Sequence, residues 1–217
     1  NTTSGFSIVS YTGSATSAGV GTVGHGLGVE PSMIIIKTRN DTKSWYVYHK
    51  SLGNNSELYL NATDSAPSST GAWNTTSPTS SVFTVGTHGG VNGESDTLIA
   101  YCFAEKQGYS KFGSYTGNGS TDGTFVYTGF KPAFIITKRS DTASHWRIFD
   151  NKREGYNVDN DDLKANTSEA ETTTDYVDIL SNGFKWRSSD SAVNSGSSIY
   201  MAFAEEPLVG DNPCTAR

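Results

Sequence analysis

Short apolar runs broken by Ser, Thr, Gly and Asn recur along the chain, and a period of two governs them where a helix would need 3.6. Gly5–Tyr11 reads as a strand, and Phe112–Tyr115 repeats its end. Met33–Lys37 and Phe134–Lys138 are continuous apolar runs, the pattern of central strands covered on both faces. Trp45–His49 alternates, with Trp45 and Val47 on one face and Tyr46 and Tyr48 on the other. Its counterpart sets Trp146 and Ile148 opposite Arg147 and Phe149. Ser81–Val85 pairs with Gly183–Arg187, and Thr97–Ala104 with Ser197–Ala204. The last two carry a large apolar face (Ile99, Tyr101, Phe103; Ile199, Met201, Phe203) and a mostly small opposite face. The stretches 54–80 and 151–176 read as polar loops, with one short helical turn expected around Ser168–Glu171.

These elements come in two matching sets. Pro31–Lys37, Asp41-Thr42 and Trp45 return as Pro132–Lys138, Asp141-Thr142 and Trp146. Ser10–Gly13 matches Ser114–Gly117, Val91-Asn92 matches Val193-Asn194, and Phe103–Glu105 matches Phe203–Glu205. The expected fold is therefore all-β, a β-sandwich of jelly-roll or lectin-like kind built from two sequence repeats of about 100 residues. A single sandwich unit over residues 1–207 is expected, with repeats at 5–105 and 112–205 and a polar C-terminal tail at 208–217. Full segregation of the two halves is the alternative. A residue kept in both copies serves the scaffold more often than a site, so Trp45, Trp146, Glu105 and Glu205 are assigned to the scaffold. Cys102 aligns with Ala202 and is expected as a buried, small apolar side chain; a bridge to Cys214 stays open.

Composition narrows function more than fold. With 217 residues the chain can bury a core without metals or staples. A net charge of -6 argues against a nucleic-acid binder held by phosphate contacts. No apolar run is long enough to span a bilayer, so no membrane insertion is expected. The chain opens on Asn1 without a signal peptide, which reads as a processed product or a fragment.

Candidate chemistry lies where the copies disagree. Trp73, with Asn74 beside it, sits in a Ser/Thr/Asn loop without a partner in the other copy and reads as an exposed aromatic that could stack on a sugar. His25 and His88 lie in glycine-rich loops and complete the glycan candidates. Trp186 aligns with Val85 and is expected in the core or at its rim. Asp159, Asp161 and Asp162 form an oxygen-rich cluster that could hold calcium, although the glycine and terminal glutamate of an EF-hand loop are missing; no other cofactor is implied. No acids alternate along a strand as in jelly-roll glycosidases, no two histidines stand at zinc spacing, and no nucleophile elbow or phosphate loop occurs. These readings favour a protein that is not an enzyme.

The phrase His25-Gly26-Leu27-Gly28-Val29-Glu30-Pro31 followed by Ser32–Lys37 resembles one recurrent in bacteriophage tail and tail-fibre proteins. Tyr59–Thr63, Tyr101–Glu105 and Gly108–Gly119 extend the resemblance to a domain of unknown function found in virion proteins of marine and cyanobacterial phages, over roughly residues 5–207. The resemblance implies a virion-surface location and contact with other virion subunits and host-surface glycan, with a homotrimer possible. It supplies no catalytic residues. Two other classes stay open: capsid decoration or assembly without a ligand, and a glycan-degrading enzyme.

Overall fold

A computed structural model describes residues 1–14, 19–153, 157 and 159–207. The chain divides into two compact units, one from Asn1 to Glu105 and the other starting at Lys106, and each has its own sheets and its own core. The tail 208–217, with Cys214, lies outside the described residues.

The first unit opens with β1 (Phe6–Thr12), β2 (Gly21–Gly24), β3 (Met33–Thr38), β4 (Tyr46–His49) and the two-residue β5 (Leu58–Tyr59). β6 (Val82–Val85), the single turn α1 (Gly89–Asn92) and β7 (Thr97–Phe103) complete it. One antiparallel sheet runs β1-β7-β3-β4-β5, and β2 pairs with β6 in a separate ribbon. The core between these two layers uses the small face of β7. Leu98, Ala100 and Cys102 leave room there for Tyr46, Tyr48, Trp73 and Phe83. Large residues from neighbouring elements thus fill what small residues vacate, as close packing demands.

The second unit contains β8 (Ser110–Asn118), β9 (Phe125–Tyr127), β10 (Pro132–Arg139), β11 (Trp146–Asp150) and β12 (Asp159–Lys164). β13 (Thr172–Leu180), β14 (Gly183–Trp186) and β15 (Ser195–Ala204) follow. The order β8-β15-β10-β11-β12 runs in step with β1-β7-β3-β4-β5, and β14-β9 runs in step with β6-β2. Here β13 pairs with both β12 and β14, so one eight-stranded sheet wraps around its core of Ile135, Phe149, Val177, Phe184 and Trp186.

Among its described residues the first unit has no strand at the position of β13. The segment 68–73 stands in: Ser68 bridges Ser56, Ser69 N–H donates to Asn55 O, and Ala72 O accepts from Gly86 N–H at 2.7 Å. Residues 168–171 form no helix; the helical turn lies at α1 instead. There the His88 side chain accepts from Gly90 N–H and caps the turn. Contacts around the matched residues agree in detail. Tyr11 donates its hydroxyl to Val91 O and Tyr115 to Val193 O, both at 2.6 Å. Trp45 N–H meets Asn61 Oδ1, and Trp146 N–H meets Asn166 Oδ1.

Candidate functional site

Of the expected glycan ligands, Trp73 and His25 are core residues. Trp73 is 2% exposed, meets Tyr48 edge-on at 5.6 Å and donates Nε1–H to Ser56 O at 3.1 Å. It plugs the gap that β13 closes in the other unit, which is why no aligned partner exists for it. Asn74 follows at φ 48°, next to Thr75 at φ 51°, so the tight turn leaving the plug consists of two left-handed residues.

His25 uses both ring nitrogens locally: Nδ1 accepts from Leu27 N–H at 3.2 Å, and Nε2 faces Thr79 O at 3.1 Å. In the other unit Thr128 Oγ1 accepts from Phe130 N–H, the same bond two residues ahead. His25 is therefore a turn-former.

His88 is exposed, and it heads a polar chain running inward. With Nδ1 accepting from Gly90 N–H at 3.0 Å, the neutral ring carries its proton on Nε2, 3.3 Å from Tyr46 Oη. Tyr46 meets Tyr59 edge-on at 5.0 Å. Tyr59 donates to Glu57 Oε1 at 2.8 Å and Ser69 to Glu57 Oε2 at 3.0 Å. Glu57 is 3% exposed. Burial, and then the hydrogen bond to Glu57, pushes the Tyr59 phenol far above its ordinary range. Gly90 must lack a side chain, because a Cβ there would run into the Tyr46 ring. With both nitrogens engaged, His88 offers a ligand its ring face only.

The calcium candidates lie on a strand. Asp159, Asp161 and Asp162 lie on β12 rather than in a loop, and adjacent strand residues such as Asp161 and Asp162 point to opposite faces. Asp162 is 1% exposed and receives Arg147 Nη1 at 2.6 Å along with the Thr172 hydroxyl. Arg147 also donates to Tyr176 Oη at 3.1 Å and stacks over that ring. Arg147 is thus the cation that pairs with Asp162. Among the described residues no group of three metal-ligating side chains forms. Glu105 and Glu205, the matched acids, pair with Lys50 and Lys131 at 2.7 Å each.

The residues that the sequence reading passed over are on β9. Phe125 is 43% and Tyr127 63% exposed, and they are the aromatic members among the large apolar side chains left open in the described residues. Val126 between them points into the core, so the two rings share the outward face of an edge strand. The Phe125 ring lies near Gly183 of β14, where a Cβ would come within 3.1 Å of it, and Tyr127 is the side chain nearest Gly129. The absence of a side chain at Gly183 leaves room for the Phe125 ring. Lys185, the β14 partner of Phe125, carries Asp122 at 2.6 Å along the rim. The matched strand β2 keeps the core residue, Val23 opposite Phe83, yet sets Thr22 and Gly24 where β9 sets Phe125 and Tyr127. Aligning the two short strands on their valines would have exposed this difference.

Fold and surface together define an all-β protein of two sandwich units, one bearing an open aromatic face. Over residues 1–207 the chain matches, and belongs to, a family described as a domain of unknown function (DUF7483). No curated protein and no solved structure matches it.

Proposed function

We propose that this chain is a non-enzymatic recognition module of a phage virion surface, carried on a tail fibre or another exposed appendage, and that β9 contacts host glycan. The observation that carries the reading is the pair Phe125 and Tyr127. Two large rings exposed on one face of one strand cost solvation free energy, which a bound partner would recover. A flat ring with a polar tip suits the mixed C–H and hydroxyl face of a pyranose, and the Asp122–Lys185 pair can exchange hydrogen bonds with its hydroxyls. The resemblance of 25–37 to phage tail proteins supports the virion location, and many copies per particle would strengthen a weak single contact. The in-step strand orders support descent of both units from one sandwich.

The test is a glycan array probed with the whole chain and with Phe125→Ala/Tyr127→Ala. The native chain is expected to bind a restricted set of glycans, and the double variant to lose that binding with an unchanged unfolding curve. Equal binding by both would remove β9 from the reading. Absence of any glycan signal would favour capsid decoration or assembly instead.

A further inference from the structure

The outer edge of the first unit's main sheet is β1. Natural sheets guard such edges with charge, proline, bulges or brevity. β5 has two residues, β9 three, and β8 carries Lys111. β1 has none of these guards. Phe6-Ser7-Ile8-Val9-Ser10-Tyr11-Thr12 is uncharged, contains no proline, and pairs with β7 without a register shift. Ile8 is 56% exposed on it.

The hydrogen bonds show which main-chain groups face outward. Ala104 N–H donates to Gly5 O and Gly13 N–H to Asp96 O, so the odd-numbered residues bond to β7. The even-numbered residues Phe6, Ile8, Ser10 and Thr12 turn their N–H and C=O groups away from the sheet. Asn1 already exchanges two bonds with Phe6, at 2.7 and 3.1 Å. Among the described residues nothing bonds to the main chain of Ile8, Ser10 or Thr12. A hollow of about 280 Å³ separates Val9–Thr12 of this edge from Gly21–Gly24 of β2 and Val85 of β6, and no charged side chain lines it.

We propose that β1 pairs antiparallel with β1 of a second copy about a two-fold axis at Ser10. This register opposes Ser10 to Ser10 and Ile8 to Thr12, uses every open main-chain group, and forms about six hydrogen bonds. The strand is uncharged, so two copies of a chain with net charge -6 meet there without like charges in contact. Ile8 gains cover, and Val9 meets Tyr11 on the other face. The interface is isologous and closed.

Cysteine cross-linking in a Cys214→Ser background tests the register. Hydrogen-bonded partners stand about 5.5 Å apart at Cα, within the span of a disulfide. Ser10→Cys is expected to give a disulfide-linked dimer under glutathione oxidation. Thr12→Cys should cross-link only when mixed with an Ile8→Cys chain. Cys102 is fully buried and stays silent. Sedimentation should show a dimer for the native chain and a monomer for Ile8→Lys and Ser10→Pro, whose lost N–H faces outward. A native monomer overturns the proposal, as does a dimer that survives Ile8→Lys while Ser10→Cys fails to cross-link. Should Ser10→Pro misfold, Ile8→Lys and the cross-linking pattern decide alone. Glycan binding plays no part in any arm.

Discussion

Both units bury a carboxylate one residue before matched strand pairs, and they hold it by different means. Tyr46–Tyr59 and Val47–Leu58 match Arg147–Lys164 and Ile148–Leu163 in register, which puts Glu57 and Asp162 at the same place. Asp162 has a cation, Arg147, at 2.6 Å. Glu57 has two neutral hydroxyls, from Tyr59 and Ser69. A tyrosine stands where the other unit has arginine, and the polar network is rebuilt around it. The position demands a hydrogen-bonded acid, and the fold accepts either chemistry provided every oxygen is satisfied.

The largest effects are expected where one partner of such a network is removed. Arg147→Ala strands Asp162 in the core and should cost about 3–5 kcal/mol, read as early unfolding of the second unit in denaturant. Arg147→Met with Asp162→Leu should recover most of that loss, because the pair's net worth is small. If the single and double variants unfold alike, the pairing is not what holds β11 to β12. Trp73→Ala should cost a similar 3–5 kcal/mol in the first unit, since it opens a cavity in the plug. Such a loss would leave the β9 face untouched.

Glu57→Gln comes next. It keeps the shape but sets an amide N–H against one of the two donor hydroxyls, and about 1–3 kcal/mol should be lost. A loss as large as that of Arg147→Ala would show that the neutral network depends on the full charge. Cys102→Ala should fall below about 1 kcal/mol, because Ala202 already fills the matched register position, opposite Ile135 as Cys102 is opposite Ile34. Burial pushes the Cys102 thiol up to about 12 from an ordinary 9.0. The stability tied to the neutral thiol is thus complete below pH 9 and drains away as pH rises toward 12. Native protein should resist iodoacetamide at Cys102 at pH 8 and react only on unfolding.

Central strands were legible because a covered strand must be apolar throughout: Met33–Lys37 and Phe134–Lys138 became β3 and β10 with small changes at the ends. Other strands were not. β5, β9, β12 and β13 are polar, brief or both, and their pairing comes from tertiary contacts rather than from periodicity. Trp73 misled for a physical reason. Its flanking sequence is that of a loop, and the loop folds inward to replace a strand. Comparing the copies rightly flagged mismatches, but a mismatch marks any place where the two units solve a problem differently. Trp73 and Arg147 are mismatches of packing, whereas Phe125 and Tyr127 face water.

That distinction yields the smallest expected effect. Phe125→Thr installs on β9 the residue that β2 carries at the matched position, and Tyr127→Ser removes the second ring without adding a strand glycine. Both rings are open to solvent, so the double variant should change unfolding free energy by no more than about 0.5 kcal/mol. Val126→Ala, one residue away but core-facing, should cost about 2 kcal/mol. Chemical denaturation of the three proteins gives the contrast directly. A double variant as unstable as Val126→Ala would mean that the rings shield β14 and Gly183 as part of the fold. A silent double variant would leave binding as the reason that rings stand in water on β9 while β2 carries Thr22 and Gly24.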